Sequence, residues 1–74
     1  RLFFDNTPLG EAIDQFNQHN NLQVVIHDES LRELLIGGSF LVNDVDAFVR
    51  LLVGDSSIVM ESPNERLVIL KEAL

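Results

Sequence analysis

The chain contains no cysteine. That excludes a disulfide framework and any thiolate metal site, and it is compatible with either an oxidising or a reducing compartment. No apolar run approaches the roughly 18 to 20 residues of a membrane-spanning helix, and no basic stretch precedes a hydrophobic one as in a secretory signal. Positive charge is scarce too. Arg1, Arg32, Arg50, Arg66 and Lys71 stand against twelve acidic residues, and the net charge of −7 repels phosphate backbones and anionic lipid headgroups. The five basic residues are scattered singly, so no basic stripe forms a local exception. Nucleic acid is not an expected partner, and no direct membrane contact is expected.

What is present is apolar residues, at 46% of 74 positions, in no polar or repetitive tract that would suggest disorder. A chain of this size buries only about 60% of its unfolded surface. Residues 1–74 are therefore read as a single domain with a small core, too small for a large cofactor, and none is expected. The start at Arg1 rather than methionine fits a domain taken from a longer protein.

The chain matches itself. At a shift of 36 positions, Phe4 falls on Phe40, Leu9 on Val45, Ala12 on Phe48, Ile13 on Val49, Phe16 on Leu52, Leu22 on Ile58 and Val24 on Met60. The polar turns coincide as well, Asn6-Thr7-Pro8 with Val42-Asn43-Asp44 and Asn20-Asn21 with Ser56-Ser57. Two strand-helix-strand halves follow.

In the first half, a strand over Leu2 to Asp5 leads to Thr7 as helix N-cap and Pro8 as first helical residue. Leu9, Ala12, Ile13 and Phe16 then form one apolar face. Gly10 inside the first turn marks a close approach of another element. Asn20 or Asn21 ends the helix in the left-handed conformation. Leu22, Val24 and Ile26 alternate with Gln23 and Val25 as a strand with one face on the core. A single helical turn within Asp28 to Leu34 bridges the halves.

The second half predicts a strand over Leu35 to Val42, with Gly37-Gly38 at a bulge or close backbone approach. Asn43 caps the next helix, Asp44 and Asp46 lie in its first turn, Val45, Phe48, Val49 and Leu52 form its buried stripe, and Gly54 stops it. A hairpin through Ser57 to Glu61 and Arg66 to Leu70 closes the chain around the turn Ser62-Pro63-Asn64-Glu65. The resulting architecture is α+β: two βαβ half-motifs forming a sandwich, with two helices between small β-sheets.

Catalytic chemistry finds little support. Glu11 and Asp14 lie three apart on a wet helix face, as solvating carboxylates do. His19 and His27 stand at a helix end and after a strand, without the spacing of a metal pair, so no metal is expected. Ser30, Ser39, Ser56, Ser57 and Ser62 lack a nucleophile-elbow context, and Gly37-Gly38 lacks the lysine of a phosphate loop. The expectation is a protein that is not an enzyme.

More informative is apolarity on outward faces. With Ile58, Met60, Leu67 and Ile69 assigned to the core, Val59, Val68 and Leu70 point outward, and Leu35, Leu41 and Val25 share the tendency. Two apolar faces suit a sheet covered by something else, an adjoining subdomain or a partner that adds a strand. The candidate partner-binding residues are Val59, Glu61, Val68, Leu70 and Leu41.

Phe4-Asp5-Asn6-Thr7-Pro8-Leu9, Ala12-Ile13, Phe16-Asn17, Val25-Ile26, Asp28, Ile36-Gly37-Gly38-Ser39-Phe40 and Asp46-Ala47-Phe48-Val49-Arg50-Leu51-Leu52 together resemble the C-terminal region of FecR-type transmembrane anti-sigma regulators. The resemblance spans nearly the whole chain, and departs from the regulator pattern at Gln18-His19. The pattern is also similar to the wider STN group, the short N-terminal domains of secretins and TonB-dependent signalling receptors. The resemblance implies the two-βαβ sandwich and a periplasmic module of an inner-membrane, single-pass protein. It implies a partner, the N-terminal signalling domain of an outer-membrane TonB-dependent receptor for a ferric siderophore, and a regulator whose cytoplasmic part acts on a sigma factor. The alternatives are the receptor's own signalling domain and a secretin N-terminal domain.

Overall fold

The computed structural model describes residues 1–54 and 57–73. Within them the order is β1 (Leu2–Pro8), α1 (Leu9–His19), β2 (Gln23–Ile26), a 3₁₀ turn (Glu29–Glu33), β3 (Leu35–Phe40), α2 (Val45–Val53), β4 (Ile58–Asn64) and β5 (Leu67–Glu72). Ser56 of the second polar break lies outside the described residues.

Both helices bury the residues their spacing selects. Leu9, Ala12, Ile13 and Phe16 of α1 and Val45, Phe48, Val49 and Leu52 of α2 all belong to one core, joined there by Phe4, Val24, Ile26, Leu31, Ile58, Val68 and Leu70. At its centre the rings of Phe16 and Phe48 stack at 4.4 Å, and Phe40 meets Phe48 edge-on at 5.6 Å. Such pairs add about 0.5–1.5 kcal/mol each beyond the area they bury.

Two sheets enclose this core, β1 antiparallel to β3, and a second in the order β2-β5-β4. The strand pairing turns the sequence repeat into a two-fold. Leu2 lies opposite Phe40, the counterpart of Phe4, while Phe4 lies opposite Gly38, the counterpart of Leu2, and Phe3 faces its own counterpart Ser39. The same operation holds around Ile69 in the other sheet. Val24 and Met60, counterparts, lie opposite Val68 and Leu70, and Val25 and Glu61, also counterparts, both lie opposite Ile69. A pseudo-two-fold axis therefore relates the halves, passing the Phe3/Ser39 pair and Ile69. It makes β2 and β4 antiparallel to each other, so β5 on the axis between them is parallel to β2 and antiparallel to β4.

The joints differ from the sequence expectation in identifiable ways. Thr7 does not cap α1: it lies in β1, where its Oγ1 accepts from the Asp5 N–H, and Pro8 flanks the helix without a side-chain cap. The strand runs on to Pro8 because a bulge lies between Phe4 and Thr7, with Asn6 at φ 49°. Asn20 is extended, at φ −135°, and Asn21 is not left-handed either. Asn20 instead donates from Nδ2 to the carbonyls of Phe16 and Val42, at 2.8 and 2.7 Å, and so ties the end of α1 to the segment before α2. β3 stops at Phe40, short of Val42. Asp44, not Asn43, caps α2, its Oδ1 accepting from the Ala47 N–H at 3.1 Å. Ser62, Pro63 and Asn64 belong to β4, and the hairpin turns at Glu65 and Arg66.

The largest correction concerns β5. Val68 and Leu70, expected outward, are 6% and 0% exposed, while Leu67 and Ile69, expected in the core, lie on the opposite face and are half-buried. Four consecutive apolar residues carry no alternation to set the parity. The register sets it, with Val68 opposite Val24 and Leu70 opposite Ile26, both core residues of β2.

Gly10 does mark a close approach: a Cβ there would lie 3.2 Å from Arg32 Nη1 of the 3₁₀ turn. Gly38 has φ 137°, and a Cβ there would lie 3.1 Å from the Phe40 ring.

Candidate interaction surface

Strand alternation divides the β2-β5-β4 sheet into a core face and an outer face. Val24, Ile26, Val68, Leu70 and Ile58 occupy the core face. The outer face carries Val25 on β2, Leu67, Ile69 and Lys71 on β5, and Val59 and Glu61 on β4. Val25 and Val59 are each 46% exposed, flanking the half-buried Ile69 and Lys71 of the central strand. Lys71 Nζ lies 3.1 Å from Glu61 Oε2, so the one basic residue of this face is neutralised beside it. An exposed pair of this kind contributes about 0–1 kcal/mol to stability. Its effect on the surface is to place a polar edge on the β4 side of an apolar strip.

Of the five residues singled out from the sequence, two meet on this face. Val59 and Glu61 lie on it, opposite Lys71 and Ile69. Val68 and Leu70 project from its reverse side into the core and contribute nothing to this outer face. Leu41 is exposed, but it follows β3 in the other sheet. The residues that sequence reasoning misplaced are Leu67 and Ile69, for the parity reason above. Phe3, 77% exposed on the outer side of β1, was not singled out at all. Its signal was available, because adjacent Phe3 and Phe4 must face opposite ways in a strand and Phe4 matches a core position.

The edges of the sheets differ in what they offer. β4 is an edge strand carrying Pro63, which has no N–H to give a further strand. β1 and β3 each have one neighbour and one open edge. Beside the open edge of β3, Leu34, Leu35, Gly37, Leu51 and Ile58 line a groove of about 280 Å³. Asn17, which stood out in the resemblance, is structural: its side-chain amide both donates to the Val24 carbonyl, at 3.0 Å, and accepts from the Val24 N–H, at 2.9 Å. Gln23 Nε2 bonds the carbonyls of Asn17 and Asn20, so the motif pins α1 to β2.

No group of acidic or histidine side chains among the described residues could hold a metal ion, and no described helix is long and apolar enough to cross a membrane. The family profile of the FecR C-terminal domain matches residues 1–69, nearly the whole described structure. The chain belongs to this family. A crystal structure of a candidate anti-sigma factor from Parabacteroides distasonis is similar, with a TM-score of 0.74 at 19% identity, covering 99% of this chain and 34% of that one. At that identity the likeness is one of fold. It shows the same two-helix, two-sheet arrangement in another protein, of which this FecR C-terminal domain spans about a third. No curated protein matches the sequence.

Proposed function

We propose that this domain is the protein-binding module of a FecR-like regulator of a sigma factor. In this reading it resides in the periplasm as part of an inner-membrane protein and receives the signal of an outer-membrane TonB-dependent receptor through that receptor's N-terminal signalling domain. Family membership over residues 1–69 supports the regulatory role, and a role in binding rather than catalysis. The observation that carries the contact is the outer face of the β2-β5-β4 sheet, where Val25 and Val59 stand exposed on both sides of Ile69. Either the receptor's domain or an adjoining subdomain of the regulator can cover that strip, burying apolar area at about 25 cal/mol per Å².

The test is an NMR titration of the isotope-labelled domain with the signalling domain of the receptor encoded beside it. The reading predicts saturable shifts at Val25, Val59, Glu61 and Ile69. Val59→Lys should weaken binding at least tenfold while changing stability by less than about 0.5 kcal/mol, as surface substitutions do. An intact fold with no shifts at high partner concentration would reject the receptor as the occupant of this face.

A further inference from the structure

The two halves of the fold are not covered equally. In the first, the 3₁₀ turn packs across α1, with Leu31 buried in the core and Arg32 seated over Gly10 in the first helical turn. In the second, β4 runs through its hairpin directly into β5, with no 3₁₀ turn between them among the described residues. That place is an open groove of about 390 Å³, lined by Asp46, Val49, Val53, Met60, Glu65 and Val68 among others. At the 36-residue shift Asp46 stands where Gly10 does, Val49 where Ile13 does, and Met60 where Val24 does. The pseudo-two-fold therefore places Asp46, at the edge of the open groove, where Gly10 lies under Arg32 of the turn. Where Val24 is buried, Met60 is 40% exposed.

We infer that this groove binds one helical turn of another protein, bearing a leucine-sized apolar residue followed by an arginine or lysine. The covered half supplies the pattern, since Leu31 fills the apolar gap there and Arg32 follows it onto the helix. The open half supplies the charge. At the Gly10 position it has the carboxylate of Asp46, and Glu65 adds a second against the single guanidinium of Arg50. A basic residue arriving as Arg32 does would meet Asp46 directly. The turn of a second copy is not the occupant, because its Leu31 is held in its own core. The groove lies between α2 and the core face of the sheet, apart from the outer sheet face, so this inference does not depend on the receptor reading.

The test uses the labelled 74-residue chain and two lactam-bridged helical peptides that differ only in presenting Leu-Arg or Leu-Glu. The Leu-Arg peptide should give saturable shifts at Val49, Val53 and Met60 and bind about fivefold tighter than the Leu-Glu peptide at low salt, the measure of one exposed charge pair. Asp46→Lys should invert that preference. Met60→Lys, at an exposed position, should abolish both interactions with the fold intact. Absence of saturable shifts at millimolar peptide, equal binding of the two peptides, or shifts confined to the open edge of β3 would each overturn the inference. So would concentration-dependent shifts of the groove residues without peptide, which would assign the groove to self-association.

Discussion

Replacing Leu70 with alanine measures the inward face of β5. Leu70 is 0% exposed, opposite Ile26 and Met60 on the central strand. The substitution removes three carbon atoms, which at about 0.8 kcal/mol per buried methylene is roughly 2.4 kcal/mol of transfer free energy. The cavity left behind raises the cost to about 3–5 kcal/mol, because both flanking strands restrain collapse. A chain of 74 residues has a total stability of about 4–11 kcal/mol, so the variant loses a large share of it. At about 4–8 °C per kcal/mol, the melting temperature should fall by 12 °C or more. Ile69→Ala, one residue away on the outer face, should cost only about 1 kcal/mol. Thermal and urea denaturation followed by circular dichroism, on both variants in one buffer, gives the comparison. A larger loss for Ile69→Ala than for Leu70→Ala would refute the assigned parity of β5, and with it the location of the proposed binding face.

Four further substitutions test the joints. Asp44→Ala should destabilise by about 1 kcal/mol through loss of the α2 cap, while Asn43→Ala and Thr7→Ala should fall within about 0.5 kcal/mol of the parent in urea melts. A cost at Asn43 equal to that at Asp44 would contradict the observed cap. Asn20→Ala removes two hydrogen bonds, to Phe16 and Val42, and should cost about 1–3 kcal/mol. Hydrogen exchange should then quicken at the end of α1 and in the segment before α2 together, and a local effect on α1 alone would deny the tie between the halves.

The parts of the fold legible in the sequence are those written in periodicity. The stripes Leu9/Ala12/Ile13/Phe16 and Val45/Phe48/Val49/Leu52 name both helices and their buried faces, and the 36-residue repeat carries the halves. The end of α1 and the faces of β5 were decided by groups distant in sequence. Asn20 is a plausible left-handed helix end when only its neighbours are considered, yet the Val42 carbonyl gives its amide a better use in extended backbone. Asp44 and Asn43 are both good caps, and the choice rests on where α2 begins. In β5, Leu67 to Leu70 are uniformly apolar, so period-two reasoning has no signal and β2 settles the face through Val24 and Ile26. The candidate surface was legible as a kind of surface, a sheet apolar on both sides. Val25, Val59 and Glu61 were legible as its members, but Leu67 and Ile69 were not, because they follow from the parity of β5.

The two-fold also bears on how the contact proposed for the outer face would distinguish one docking direction from its reverse. Ile69 lies on the axis with counterpart residues on either side, Val25 on β2 and Glu61 on β4. Had Glu61 been apolar like Val25, and Lys71 and Val59 matched their counterpart positions Leu67 and Gln23, the strip would present itself identically after a half-turn, and a partner could settle on it in two orientations of equal energy. Glu61, paired to Lys71, breaks that equivalence at the centre of the face. An apolar partner segment gains area on the Val25 side and must desolvate an ion pair on the other, a penalty that favours one orientation. The β4 side is also the edge carrying Pro63, so strand addition there is hindered by the same asymmetry. The chain thus keeps the internal two-fold that closes its core and loses it on the outer face of the β2-β5-β4 sheet, where the proposed contact would need a single orientation.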